Sequence, residues 1–248
     1  LIKGINLEGL RVLGNPYDYA LSYYQDGADE LIFNDAIASL YGTNTLSTII
    51  SRLAKNIFIP ITAGGGIRDL EISKKIFNYG ADKIFVNSQA LLDTKYLKKL
   101  INFFGSANIT VSIEVINYQN KYYTSAYAGR EIFKINPFDW ALKCEDLGCG
   151  EIMVTSVNSE GLMKGTDILL FEKILKRCKV PIIGSGGIGS FKDVYNLVRN
   201  VDIDGIAISS LFHYHYVYNF NHKIPKIGNT DFIKKIQNEN KKTKSINY

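Results

Sequence analysis

Short apolar runs of four to six residues recur along the chain, and between them apolar side chains return every third or fourth position. The first pattern suits strands buried on both faces, and the second suits helices with one apolar stripe. Strands are predicted at 30–34, 58–62, 83–87, 109–114, 151–155, 181–184 and 205–208, and helical stretches at 69–79, 93–103, 138–147, 167–177 and 190–199. Such alternation implies parallel strands joined by right-handed helical crossovers, closed into a barrel or left as an open doubly wound sheet.

An internal repeat favours the barrel. The segment Pro60-Ile-Thr-Ala-Gly-Gly-Gly-Ile67 returns as Pro181-Ile-Ile-Gly-Ser-Gly-Gly-Ile188, 121 positions later. Gly27-Ala-Asp-Glu-Leu-Ile-Phe33 returns as Gly148-Cys-Gly-Glu-Ile-Met-Val154 at the same offset, and Ala81–Ser88 returns as Ile203–Ser210 at an offset of 122. Two equal four-strand halves close into eight, so the expected fold is an α/β (β/α)8 TIM barrel built from two similar half-barrels. Subtracting the offset from 109–114 puts the eighth strand before residue 1, and the sequence opens at Leu1 without an initiator Met. The expectation is therefore a barrel truncated before or within its first strand. Residues 1–224 would form this single domain, and 225–248 a polar, basic segment, helical or frayed.

The 248 residues, 46% hydrophobic and 21% charged, suit one domain of this kind. The net charge of +5 draws on Lys234, Lys235, Lys241, Lys242 and Lys244 near the C-terminus, read as a solvated tail and not as a nucleic-acid site. Cys144, Cys149 and Cys178 have no metal-ligand spacing and form no even disulfide set, so they read as reduced thiols. Neither a signal peptide nor an apolar run of about 18 residues is seen, which predicts a cytoplasmic protein without a membrane span.

Active sites of such barrels lie at the carboxyl ends of the strands. Gly64-Gly65-Gly66 follows one strand and Asn87-Ser88 the next; in the second half Ser185-Gly186-Gly187 and Ser209-Ser210 hold the same places. Glycine lets backbone amides approach an anion, and small polar side chains add donors. Each half thus offers a phosphate cradle, and the pair implies a substrate with a phosphate at each end. Acidic residues at or beyond strand ends are Asp35, Asp69, Glu114 and Glu160. Asp69 reads as a helix N-cap. Glu114, ending an apolar strand, is the sharpest candidate for proton transfer, with a salt bridge as its plainer reading. Lys3 is a candidate for orienting an anionic substrate, and Asp35 and Thr155 are further active-site candidates. His213, His215 and His222 form no triad or metal pattern with these residues, and no cofactor is expected. Glu30, Lys83 and Glu151 begin their strands and belong at the opposite mouth, as a salt-bridged plug or as a gate for a small neutral molecule.

Lys3-Gly-Ile-Asn-Leu-Glu-Gly-Leu10, Gly27-Ala-Asp-Glu-Leu31, Gly64-Gly-Gly-Ile-Arg-Asp69, Gly80-Ala-Asp-Lys83, Phe104-Gly-Ser106, Gly150-Glu-Ile152, Ser185-Gly-Gly187 and Ser210-Leu-Phe-His213 together resemble the cyclase subunit of imidazole glycerol phosphate synthase, over about residues 1–215. The resemblance implies a lyase of histidine biosynthesis. In that family a glutaminase subunit supplies ammonia, which passes up the barrel to a bisphosphate ribulosyl aminoimidazole carboxamide, closing the imidazole ring and releasing a ribotide. It assigns one phosphate site to Gly66, Asn87 and Ser88, and the other to Gly161, Gly186, Gly187 and Ser210; Gly65 is expected to join the first, and Glu160 and Ser209 the second. Lys3 and Glu114 become catalytic, Glu30, Lys83 and Glu151 the ammonia gate, and Asp82 part of the glutaminase interface. Two departures stand out: Glu114 replaces the family's aspartate, and Asn158-Ser-Glu-Gly161 replaces Asp-Arg-Asp-Gly. They leave open a divergent paralogue delivering ammonia for amidation of bacterial surface sugars. An aminoaldose phosphate isomerase of the same superfamily is the third reading.

Overall fold

The structure, a computed structural model, describes residues 1–35 and 46–219. The expected segment 225–248 lies outside them. The chain opens with an antiparallel hairpin of β1 (Ile2–Ile5) and β2 (Glu8–Val12), followed by α1 (Pro16–Gln25). Strands and helices then alternate: β3 (Leu31–Asn34), α2 (Leu46–Leu53), β4 (Ile61–Gly64), α3 (Leu70–Asn78), β5 (Lys83–Val86), α4 (Ser88–Leu92) and α5 (Thr94–Phe104). The second half runs β6 (Ile109–Tyr118), β7 (Lys121–Ala126), β8 (Glu131–Phe133), α6 (Pro137–Leu147), β9 (Glu151–Ser156), α7 (Ile168–Leu175), β10 (Ile182–Ser185), α8 (Phe191–Asn200), β11 (Gly205–Ala207) and α9 (Ser210–Asn219).

Seven strands form a parallel sheet in the order β11-β10-β9-β6-β5-β4-β3, a nearly closed (β/α)8-type barrel with its helices outside. Parallel strands covered on both faces must be apolar on the helix side. Alternate residues meet that demand: Leu31, Ile61, Ala63, Ile84, Val86, Ile109, Val111, Ile113, Ile152, Val154 and Ile182 are all buried. They face helix stripes such as Tyr96, Leu97, Leu100 and Ile101 of α5. The residues between them point to the barrel axis. In β6 these are Thr110, Ser112 and Glu114, paired in register with Glu151, Met153 and Thr155 of β9. In β5 they are Lys83 and Phe85, and the Phe85 ring fills the space beside Gly64, where any Cβ would meet it at 2.5 Å.

The predicted strand at 58–62 begins at Ile61 instead, because Pro60 has no N–H to give and Phe58 is 81% exposed. The predicted strand 109–114 runs on to Tyr118, because β6 leaves the barrel and pairs antiparallel with β7. The hairpins β1–β2 and β6–β7–β8 were not legible in the apolar pattern. They nevertheless obey the repeat: the turn residues Asn6 and Leu7 (φ 49 and 65) recur 121 positions later as Tyr127 and Ala128 (φ 54 and 60). Helix starts repeat too, with Asn15-Pro16 against Asn136-Pro137 at the N-caps of α1 and α6, and Asp69 against Ser190 at those of α3 and α8. Proline at the first helical position needs no N–H there, and the asparagine oxygen accepts from the exposed amides.

Phe171 of α7 is fully buried and packs beneath Gly184. Phe171→Ala is expected to cost about 3–5 kcal/mol of stability, read as a lowered urea midpoint with an unchanged denaturant slope.

Candidate functional site

The two ends of the barrel differ in charge. At the amino-terminal end Glu30, Lys83 and Glu151 close the floor, with Lys83 Nζ 2.8 Å from Glu30 Oε2 and 3.2 Å from Glu151 Oε2. Thr62 donates to Glu30, and Thr110 Oγ1 donates to Glu151 Oε1 at 2.7 Å. Burial alone would lower the Lys83 pKa. The hydrogen bond to Glu30 and the charges of Glu151 and Glu30 outweigh that and hold it above the ordinary lysine value. Asp82, exposed beside this floor, accepts from the Ile61 N–H at 2.8 Å, and Asp204 does the same for Ile182.

At the carboxyl end a polar row crosses adjacent strands in register: Ser125, Glu114, Thr155 and Ser185. Glu114 Oε2 accepts from the Gly129 N–H at 2.8 Å. Burial pushes the Glu114 pKa from 4.5 to about 7, and the hydrogen bonds from Gly129 and Asn87 and the charge of Arg130 only partly oppose it. A carboxyl group that titrates near neutrality can both give and take a proton.

Glycine turns flank this row on both sides. Gly65 and Gly66 (φ 98 and 65) follow β4, and Gly186 and Gly187 (φ 101 and 96) follow β10. Both pairs lie in the left-handed region that favours glycine. Side chains are also excluded by neighbouring backbone: a Cβ on Gly65 would meet the Asp35 carbonyl, and one on Gly186 would stand 2.7 Å from the Ser156 carbonyl. Asp35 is buried, its N–H bonded to Gly64 O at 2.9 Å. Asn87 and Ser88 start α4, and Ser209 and Ser210 start α9. Ser210 Oγ is buried with no hydrogen-bond partner among the described residues, which leaves a donor available to a bound anion.

Lys3 is brought in by β1. Its ammonium is buried, paired with Glu160, and 2.7 Å from Ser209 Oγ. Glu160 was expected among the phosphate ligands. Its carboxylate is paired with Lys3 at the edge of the second cradle. Gly161 (φ 77) lets the β1 backbone lie on the same turn, since a Cβ would meet the Gly4 carbonyl. His213 stays neutral, its pKa lowered to about 3 by burial, Lys3 and the N-terminal ammonium, and its Nδ1 is 2.6 Å from Tyr23 Oη. The cysteines are buried and free, and burial raises the Cys149 thiol to about 12.

Two well-separated ends thus gather the residues picked from sequence: Glu30, Lys83, Glu151 and Asp82 below, and Lys3, Asp35, Gly65, Gly66, Asn87, Ser88, Glu114, Thr155, Glu160, Gly161, Gly186, Gly187, Ser209 and Ser210 above. Sequence reasoning missed Thr62 and Thr110, which inward alternation from Lys83 and Glu151 would have found. It also missed the Tyr127–Gly129 turn, which carries no charged or apolar signal.

The sequence profile of a family described as "Histidine biosynthesis protein" matches residues 1–217. The chain is 43% identical over 194 residues to imidazole glycerol phosphate synthase subunit HisF of Legionella pneumophila, covering 78% of this chain and 92% of that protein. The protein of the same name from Petrotoga mobilis is 36% identical over 216 residues, covering 86% and 85%. That from Lactococcus lactis subsp. lactis is 35% identical over 216 residues, covering 86% and 83%. No helix among the described residues is long and apolar enough to cross a membrane.

The raised Glu114 pKa also sets a stability test. The folded state holds this proton more tightly than the unfolded chain, so stability falls as pH rises from about 4.5 to about 7 and is flat above. The loss is on the order of 3 kcal/mol. Urea unfolding at about pH 5 and about pH 8 should show this fall in the wild type and much less of it in Glu114→Gln.

Proposed function

The chain belongs to the histidine biosynthesis protein family, and from that membership we propose that it is the ammonia-using cyclase subunit of an imidazole glycerol phosphate synthase. The observation that carries the site reading is Glu114, titrating near neutrality midway between two glycine cradles. A substrate with two phosphates fits that arrangement. One phosphate lies on the amides of Gly65 and Gly66 with Asn87 and Ser88. The other lies on Gly161, Gly186 and Gly187 with Ser209 and the unpaired hydroxyl of Ser210. The reacting centre is then held over Glu114 and Thr155.

Ring closure needs a group that accepts protons from the incoming nitrogen and returns one to the departing ribotide. Glu114 serves as that general acid and base. Lys3, held between Glu160 and Ser209, places a hydrogen-bond donor beside the second phosphate. Asp35 borders the first cradle through its backbone.

A glutaminase subunit docked on the Asp82 end supplies ammonia. The floor is closed at rest, because Lys83 bridges two carboxylates. Neutral ammonia passes when the lysine swings aside, and water and ions are held back by the same pair of contacts. The strand interiors above it, with Ser112, Phe85 and Met153, lead to the mouth.

The test is ring formation by the purified protein with ammonium salt and the ribulosyl bisphosphate. Glu114→Gln is expected to lower kcat by about 10²–10⁴-fold, and the acid limb of the wild-type kcat/KM profile should fall near neutrality. Absence of turnover from a folded wild type rules the reading out. For the floor, Lys83→Met should leave ammonium-driven turnover within about threefold. Glutamine-driven turnover with the partner should fall by about tenfold or more, because charge complementarity at the gate is lost.

A further inference from the structure

The β7–β8 turn carries an unusual backbone beside the site. Tyr127, Ala128 and Gly129 all lie at positive φ (54, 60 and 77), although only the third is a glycine. Strain of this kind persists where surrounding contacts over-determine it. Two of those contacts end on residues already assigned to the reaction: the Tyr127 N–H donates to Ser88 Oγ at 3.0 Å, and the Gly129 N–H donates to Glu114 Oε2 at 2.8 Å. The turn is held from above as well. A Cβ on Gly129 would stand 3.2 Å from Val157 Cγ1 and 3.7 Å from Leu7 Cδ1, so the tip of the β1–β2 hairpin packs against it.

We propose that the Tyr127–Gly129 turn is a positioning element of the reaction, fixing the phosphate donor Ser88 and the proton carrier Glu114 in one geometry through two backbone N–H groups. This rests on the roles given to Ser88 and Glu114 above. Because Ser88 Oγ accepts from Tyr127, its own hydrogen is left to donate to an anion. Because Glu114 Oε2 accepts from Gly129, the carboxylate cannot rotate freely, and its charged form is favoured. The other groups facing Glu114 are the Asn87 amide, the Arg130 guanidinium of the same turn, and Thr155 and Ser125 in register on β9 and β7. Asn87 precedes Ser88 in the chain and bonds Glu114 through its side chain, and the turn joins the same two residues a second time through backbone N–H groups. A phosphate settling on Ser88 is thereby coupled to the acid–base group through two residues of backbone.

Amide NMR of the intact protein tests this without relying on turnover. The Gly129 amide should titrate with a midpoint near that of Glu114, and Glu114→Gln should abolish the titration. Inorganic phosphate should shift the Tyr127 amide, and Ser88→Ala should abolish that response. Kinetically, Ala128→Val puts a β-branched residue at positive φ and should lower kcat about tenfold, an amount typical of a displaced catalytic group, while moving the acid limb to higher pH. Ala128→Gly, which adopts the same φ freely, should keep the limb in its wild-type place. A Gly129 amide that does not respond to pH overturns the proposal, as does a folded Ala128→Val protein with an unmoved acid limb. Phosphate affinity unaffected by Ser88→Ala would instead overturn the site reading, and the proposal with it.

Discussion

A barrel strand has two faces, and in this fold the outer one is committed to holding the helices. Leu31, Ile61, Ile84, Ile109, Ile113, Ile152 and Ile182 are all needed there, and each is buried. Every group that does chemistry must therefore come from the other parity or from the loops. That constraint explains why Thr62, Lys83, Thr110, Glu114, Glu151 and Thr155 are polar within otherwise apolar strands. It also explains why the two polar layers fall at the strand ends, with Phe85 and Met153 lining the middle of the axis.

Placing charge in such an interior is unfavourable unless partners compensate it. At the floor one ammonium sits between two carboxylates, and two threonine hydroxyls donate to those carboxylates, so the carboxylate charge left over by the lysine is held by neutral donors. Lys3 and Glu160 compensate each other at the mouth. Glu114 differs. It receives neutral donors and forms no ion pair among the described residues, the Arg130 charge being the weakest of its influences, so its proton affinity stays high while Lys83 is anchored in the charged state. The same barrel thus contains charge arrangements that resist change and one group poised to change. The resistant pairs frame the site, and the poised one lies at its centre.

Much of this was legible because the two halves share one pattern. The seven barrel strands, the glycine pairs after β4 and β10, and the charged floor all follow from apolar period and offset, since burial and left-handed turns leave strong marks on residue type. The hairpins left weaker marks. β1 and β2 carry Lys3, Glu8 and Arg11 in place of apolar alternation, and β7 reads Lys-Tyr-Tyr-Thr-Ser-Ala. A hairpin lying over a mouth need not be apolar on either face, and its turn residues Leu7, Tyr127 and Ala128 are not those that left-handed turns prefer. The pairing of Glu160 with Lys3 was not legible for a related reason: the two lie 157 positions apart, and the hairpin brings them together.

The duplicated hairpins also bear on the glutamate at position 114, where the resemblance to the cyclase leads one to expect an aspartate. A side chain one methylene longer, anchored at the same strand position, carries its carboxylate further along the barrel axis and could lose alignment with a substrate held by fixed cradles. Here the extension meets a donor, because the Gly129 N–H donates to Oε2 of the longer side chain. That donor exists only because three successive residues accept a left-handed backbone, and Leu7 from the other hairpin helps to hold it there. The glutamate and the strained turn are thus parts of a single arrangement. Altering the turn should disturb proton transfer, because its contacts with Ser88 and Glu114 are made by backbone N–H groups whose direction the turn sets.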